Sequence, residues 1–81
     1  MKIDVKLFAI LRERAGAAGL ALELPAGSSA AAAGAALVER FPALRDYLPS
    51  VAYAVNRDYV APAHVLHDGD ELALIPPVSG G

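Results

Sequence analysis

The chain ends in an uncharged run whose reactive group is a terminal carboxylate. Glu71 is the last charged residue, and the sequence closes as Ile75-Pro76-Pro77-Val78-Ser79-Gly80-Gly81. Each proline ring fixes φ near −65° and favours an extended backbone, while glycine makes a peptide thin enough for a narrow channel in a partner. The α-carboxylate of Gly81 is anionic at pH 7 and a poor electrophile, so its chemistry needs activation by a partner, most simply as an acyl adenylate. The alternative is a frayed terminus without function.

The other reactive side chains favour structural roles. His64 and His67 are the only histidines, and without cysteine or a clear third ligand they do not form a metal site. Asp68, Asp70 and Glu71 lie around a glycine, which is typical of a solvated turn. The sequence contains no Ser-His-Asp arrangement and no phosphate-binding glycine loop. We therefore expect no metal, no stably bound cofactor and no catalysis by this chain alone.

Composition excludes several functional classes. The 81 residues suffice for one small domain, the formal net charge is −2, and no basic run provides the footprint of a nucleic-acid-binding protein. No apolar stretch reaches transmembrane length, and no signal-peptide pattern is present. We expect no nucleic-acid partner, no membrane association and a cytoplasmic location. Because there is no cysteine, any sulfur that the protein carries must be bound to another group.

The order of the predicted elements indicates an α+β fold. The segment from Lys2 to Phe8 alternates apolar and polar residues, which is typical of a half-buried strand, and a short helical turn follows it. Ser28 or Ser29 is a good N-cap for a helix that runs to about Arg40. Further strands are predicted at 20–24, 51–55, 59–61 and 71–75. This β-β-α-β-β-β order predicts a mixed sheet of four to five strands crossed by one main helix. We expect a single domain over 1–75 and an extended tail over 76–81 with a flexible Gly-Gly end.

Apolar residues at outward-facing strand positions predict a protein interface. Phe8 ends the polar face of the first strand, and Ile75 lies on the outward face of the last strand. If these strands are neighbours, the two side chains form an exposed apolar patch at the root of the tail, which Tyr59 could extend, and such patches mark interfaces. Arg12 could contact the partner or the tail. The alternatives are isolated surface apolar residues, a face assignment that slips by one residue and, for Arg12, a solvated charge.

The same residues carry a family resemblance that covers essentially the whole chain. The sequence resembles the small, sulfur-carrying subunits of molybdopterin synthases, in the ubiquitin-like β-grasp superfamily. The resemblance rests on Leu7-Phe8-Ala9, Leu11-Arg12-Glu13, Ala54-Val55-Asn56, and above all Asp68-Gly69-Asp70-Glu71-Leu72 running into Pro76-Pro77-Val78-Ser79-Gly80-Gly81. The sequence differs from this family at Ala30 to Ala36, where it has alanines in place of larger aliphatic residues.

This resemblance implies a cycle in which the chain carries sulfur. An adenylating enzyme similar to ubiquitin-activating enzymes uses ATP and magnesium to convert the Gly81 carboxylate into an acyl adenylate, and a sulfur donor protein turns it into a thiocarboxylate. The charged carrier then inserts its tail into the large catalytic subunit, within an expected heterotetramer. Sulfur passes to cyclic pyranopterin monophosphate, and two such transfers build the dithiolene that holds molybdenum.

The resemblance also implies roles for individual residues. Gly81 is the reactive terminus, and Gly80 is the spacer that keeps the end of the tail narrow. Phe8 and Ile75 match positions that meet the large subunit. The residues expected in the groove of that subunit are Pro76, Pro77, Val78 and Ser79.

Three alternative functions stay open from the sequence. The first is a sulfur carrier for another pathway, such as thiamine or cysteine synthesis, which shares the fold and the Gly-Gly end. The second is a ubiquitin-like modifier joined through Gly81 to lysines of other proteins. The third is an interaction domain with an inert tail, in which no ATP-dependent change occurs at Gly81.

Overall fold

The fold is built on a five-stranded mixed sheet with the strand order β2-β1-β5-β3-β4. The computed structural model describes residues 1–77 of the chain. Its strands are β1 (Lys2–Leu7), β2 (Gly19–Glu23), β3 (Ala52–Val55), β4 (Asp58–Val60) and β5 (Glu71–Ile75). The central pair, β1 and β5, is parallel, and the other neighbouring strands are antiparallel. The first and last strands therefore end side by side.

Alternation along the two central strands separates two faces of the sheet. The residues on one side are at most 2% exposed, namely Ile3, Val5, Leu7, Leu72 and Leu74. The intervening Lys2, Asp4 and Lys6 of β1 are exposed. We call the buried side the core face and the opposite side the outer face. The alternation predicted for the first strand is thus confirmed.

Two helices lie beside the sheet. Helix α2 (Ala30–Arg40) packs into the core through Ala30, Ala33 and Leu37. Its N-cap is Ser29, whose Oγ accepts a hydrogen bond from the Ala32 N–H at 3.1 Å, so the predicted start is confirmed. Helix α1 (Ala9–Ala15) buries Leu11 and ends at Gly16, which has a left-handed φ of 72°.

The α+β class and the mixed sheet are confirmed, with small differences at the ends of elements. The predicted short helical turn is a seven-residue helix. The third strand begins one residue late, because a 3₁₀ turn at Leu48–Ser50 precedes it. The fourth begins one residue early, because a two-residue turn suffices to return the chain. In that turn Asn56 and Arg57 have φ values of 50° and 74°, as a tight type I′ hairpin requires.

The described part of the chain does not test the predicted boundary between domain and tail. That division, at 75 and 76, stays a prediction. Within residues 1–77, neither helix has the length and apolar character needed to span a membrane.

Candidate partner-binding surface

The parallel pairing of β1 and β5 brings Phe8 and Ile75 to the same end of the sheet. Leu7 pairs with Leu74 in the register, so the next residue on each strand is Phe8 or Ile75. Phe8 keeps extended backbone angles, with φ −124° and ψ 152°, and its side chain therefore points away from the core. It is 46% exposed, and Ile75 is half-buried. The adjacency on which the predicted patch depends is present, while its role as an interface stays a prediction.

Small side chains fill the outer face between Ile75 and Tyr59. Ala73 pairs with Ala54, Ala54 pairs with Tyr59, and Ala52 pairs with Ile75. Directly paired residues point to the same face of a sheet, so Ala52, Ala54 and Ala73 form a shallow row that we call the alanine floor. Ala52 is exposed, Ala73 is half-buried and Ala54 is 5% exposed. Tyr59 stands beside it and is 73% exposed. Sequence reasoning missed the alanine floor, because only the strand register brings the three alanines together.

The outer face is charged at one end and apolar at the other. At the charged end Lys2 pairs with Glu23, and Asp4 pairs with Glu71. Lys6 pairs with Ala73, and the positions beyond it are the apolar ones described above. The number of charged side chains on the outer face therefore falls towards the end of β5. That apolar end is where the chain continues into the tail.

The tail begins at this apolar end of the outer face. Pro76 is half-buried and Pro77 is exposed, so the structure places the first two tail residues that were predicted to contact a partner. Val78, Ser79, Gly80 and Gly81 lie outside the described residues. Their predicted roles, including that of the Gly81 carboxylate, stay predictions.

The backbone just after Phe8 adopts an unusual conformation. Ala9 has a φ of 51°, and a non-glycine residue in this region stores about 1–3 kcal/mol of strain. The Leu11 N–H donates to the Phe8 carbonyl oxygen at 3.1 Å, and Leu11 is fully buried. The chain thus turns sharply into α1 while Phe8 stays on the outer face. Arg12, one turn into the helix, is exposed, and its contact with the partner or the tail stays a prediction.

Side-chain hydrogen bonds fix the start of β5. Asn56 Nδ2 donates to Asp70 Oδ1 at 3.0 Å, and Asn56 Oδ1 accepts from the Glu71 N–H at 3.0 Å. The His67 N–H donates to Asp70 Oδ2 at 2.8 Å. This bond, with the smaller contribution from Asn56, holds the pKa of Asp70 below its ordinary value. The predicted turn therefore also ties β5 to the turn between β3 and β4.

Asp68, in the same turn, has a structural partner. Asp68 Oδ1 accepts from the Lys2 N–H at 2.7 Å, which attaches the turn to the first strand. His64 and His67 are both exposed. Over residues 1–77, no group of three or more His, Cys, Asp or Glu side chains could hold a metal ion.

Comparison with known sequences gives matches over the whole chain. The model of the ThiS family matches residues 5–81. A molybdopterin synthase sulfur carrier subunit from Arabidopsis thaliana is 40% identical over 81 residues, which are 100% of this chain and 84% of the relative. The protein of the same name from Chlamydomonas reinhardtii is 40% identical over 83 residues, with 100% of both chains covered.

Comparison with solved structures gives a consistent fold. The crystal structure of SAMP1 from Haloferax volcanii has a TM-score of 0.91 and 32% sequence identity, with 100% of both chains covered. SAMP1 stands for small archaeal modifier protein 1. A complex of subunits 1 and 2 of the molybdopterin-converting factor from Helicobacter pylori contains a chain with a TM-score of 0.69 and 24% identity, a likeness of fold alone. The predicted ubiquitin-like β-grasp fold is confirmed by these neighbours.

Proposed function

The chain belongs to the ThiS family, and on this basis we propose that it is the sulfur carrier subunit of a molybdopterin synthase. The observation that carries the proposal is the full-length likeness to carrier subunits of that name, at 40% identity over 81 residues. The family match also continues through the last residue, Gly81. We propose that the carboxylate of Gly81 is the group that is charged with sulfur.

In the proposed cycle the chemistry takes place at Gly81, and the catalytic groups belong to partners. An adenylating enzyme joins the Gly81 carboxylate to the AMP unit of ATP, with magnesium, and pyrophosphate leaves. A donor protein supplies sulfur at the oxidation level of sulfide, which displaces AMP and leaves a thiocarboxylate. The thiocarboxylate sulfur, a soft nucleophile, forms a bond to a carbon of cyclic pyranopterin monophosphate in the large subunit, and water cleaves the bond between the sulfur and Gly81, which restores the carboxylate. ATP and magnesium act in the activating partner, and the carrier needs no cofactor of its own.

The apolar end of the outer face is the proposed docking surface for the large subunit. Phe8 and Ile75 lie where the chain leaves the sheet for Pro76. The alanine floor beside them lets a partner approach the backbone of the sheet closely, because methyl groups project only a short distance from it. In the Helicobacter pylori neighbour, subunits 1 and 2 of the molybdopterin-converting factor form a complex. We propose an equivalent pairing here, in a heterotetramer.

One residue added after Gly81 tests whether its carboxylate is the working group. The added residue moves the carboxylate out of position, so we expect sulfur transfer to the pterin substrate to be lost. The matched variant lacks Gly81 and ends in Gly80, and we expect it to be inactive as well. Both variants are expected to keep the thermal melting curve of the parent chain. Transfer by the extended chain at the parental rate would disprove the proposal.

A second candidate is a protein modifier, which the likeness to SAMP1 favours. A modifier would be joined through Gly81 to lysine side chains of other proteins. Conjugates of increasing mass in cell extract, lost when Gly81 is deleted, would support this function. A carrier for thiamine or cysteine synthesis would instead be identified by its co-purifying partner. A carrier of molybdopterin synthase is expected to co-purify with the large subunit.

A further inference from the structure

A concavity of about 420 Å³ lies on the helix side of the sheet, away from the outer face. Its wall on α2 is formed by Ala31, Ala35 and Val38, and its other wall by Leu48 and Pro49. The base includes Tyr53, whose side chain belongs to the core. Ligand-binding pockets for small molecules fall in the range of about 300–1,000 Å³, so this concavity is large enough for one.

The small residues of α2 are the reason that this space is open. Ala31 and Ala35 are exposed and lie one turn apart, so only methyl groups project from the helix at the rim. Gly34 lies between them, and a Cβ added there would approach Tyr53 Oη at 2.6 Å and Leu48 Cδ1 at 2.9 Å. Glycine therefore allows the tyrosine hydroxyl to sit against the helix backbone, within the concavity.

Two polar groups face this otherwise apolar space. Tyr53 Oη makes no hydrogen bond to any of residues 1–77. Every fully buried side-chain polar atom in that range has a hydrogen-bond partner, so this unpartnered hydroxyl is not fully buried. The hydroxyl therefore keeps its access to solvent, which the concavity provides. Burial raises the pKa of Tyr53 above its ordinary value, so the hydroxyl is a neutral hydrogen-bond donor at pH 7. Arg45 is the one charged residue of the lining.

We propose that this concavity is a binding site for a small amphiphilic anion, a monocarboxylate with an aliphatic or aromatic body. The apolar walls take the body of the ligand, because burial of apolar surface is favourable. The carboxylate accepts a hydrogen bond from Tyr53 Oη and faces the guanidinium of Arg45. Arg45 is positively charged and its guanidinium carries only donors, so it favours an anion over a cation of the same shape. The site lies across the sheet from Phe8, so occupancy is compatible with binding of the large subunit.

The test is an NMR titration of the full chain with sodium octanoate and, separately, with octylammonium chloride. The two probes share the same alkyl chain and differ in the sign of their charge. We expect saturable shifts of the backbone amides around Ala35, Arg45 and Leu48 with octanoate, with affinity on the order of millimolar. Octylammonium is expected to bind at least about tenfold more weakly. Equal binding of both probes, shifts centred elsewhere, or no saturable shifts would overturn the proposal.

A pair of leucine substitutions tests whether the walls are the binding surface. Ala35→Leu fills the concavity, and octanoate affinity should fall at least tenfold. Ala32→Leu adds the same side chain to an exposed residue of the same helix that does not line the space, and it should leave the affinity unchanged. Equal affinities in the two variants would contradict the assignment.

Two further variants test the polar groups without opening or filling the core. Tyr53→Phe removes a hydroxyl that has no described partner, so the fold should persist and octanoate affinity should fall about tenfold. Arg45→Gln removes an exposed charge, and the expected loss is about threefold. If both variants bound octanoate like the parent chain, the site would not be one for anions and the proposal would fail. This test does not depend on sulfur transfer, so its failure would leave the proposed function untouched.

Discussion

The two faces of the sheet show how one set of strands serves two purposes. On the core face of β5, Leu72 and Leu74 are completely buried. On the outer face the same strand presents Ala73 and Ile75, which are only half-buried. The helices cover the first face, and no element within residues 1–77 covers the second. The core face thus supplies stability, and the outer face is the proposed surface for a partner.

The difference predicts that substitutions one residue apart affect different properties. A core-face substitution should lower the free energy of unfolding. An outer-face substitution should lower the affinity for a partner and leave the fold in place. The four predictions below test this separation, beginning with the largest effect.

Leu74→Ala and Ile75→Ala compare the two faces at adjacent residues of one strand. Leu74 is 0% exposed, so its truncation should lower the free energy of unfolding by about 3 kcal/mol. Ile75 is half-buried, and its truncation should cost about 1 kcal/mol. Urea denaturation of both variants measures the difference. Equal costs would show that the two faces are not distinct in stability.

Phe8→Asp places a charge on the apolar end of the outer face. We expect the dissociation constant for the large subunit to rise about thirtyfold, which corresponds to about 2 kcal/mol. The thermal melting curve should change little, because Phe8 is 46% exposed. The control is Ala21→Asp, an exposed residue paired with Asp4 at the charged end of the same face. An unchanged dissociation constant for Phe8→Asp would mean that the partner binds elsewhere.

Gly34→Ala tests how closely α2 approaches the core face. The new Cβ would lie 2.6 Å from Tyr53 Oη, and we expect this crowding to outweigh the gain in helix propensity of about 1 kcal/mol. The net loss of stability should be about 1 kcal/mol. In a Tyr53→Phe background the closest contact is gone and only Leu48 Cδ1, at 2.9 Å, stays close. That atom is the end of a flexible side chain that can move away, so the same substitution should be neutral or stabilising. Equal effects in both backgrounds would exclude this contact as the cause.

Asp70→Asn tests the side-chain hydrogen bonds that fix the start of β5, the strand that contributes residues to both faces. The folded-state pKa of Asp70 is lowered, chiefly by the His67 N–H, so its ionised form stabilises the fold. That contribution is present above the unfolded-state pKa, about 3.9, and is lost as the pH falls through the folded-state value. The parent chain should therefore exceed the variant in stability by a constant amount near neutral pH. The gap should close below about pH 4, as measured by urea denaturation, and a gap independent of pH would contradict the assignment.

Local patterns in the sequence predicted most of the elements. Alternation identified β1 and β5, and the serine pair Ser28-Ser29 identified the start of α2, with Ser29 as the N-cap in the structure. These features depend on residues that are neighbours in the chain, so their physical causes are visible in the sequence. The outward positions of Phe8 and Ile75 followed from the same alternation.

Features that depend on distant residues were not predictable in this way. The parallel pairing of β1 with β5 was only a condition in the sequence argument, and the alanine floor depends on it. The contact between Gly34 and Tyr53 arises only when helix and sheet are packed, so no local pattern predicts it. The hydrogen bond between Asn56 and Asp70 also forms only when two turns lie together in the folded chain, so the sequence did not predict it.

Whether Gly81 carries sulfur is decided by the intact mass of the chain after charging. The protein is incubated with ATP, magnesium, a cognate adenylating enzyme and a sulfur source, and a known carrier is charged in parallel. We expect a mass increase equal to the replacement of one oxygen by sulfur, located at Gly81 by fragmentation. No increase in this chain, with the known carrier fully charged, would contradict the assignment as a sulfur carrier.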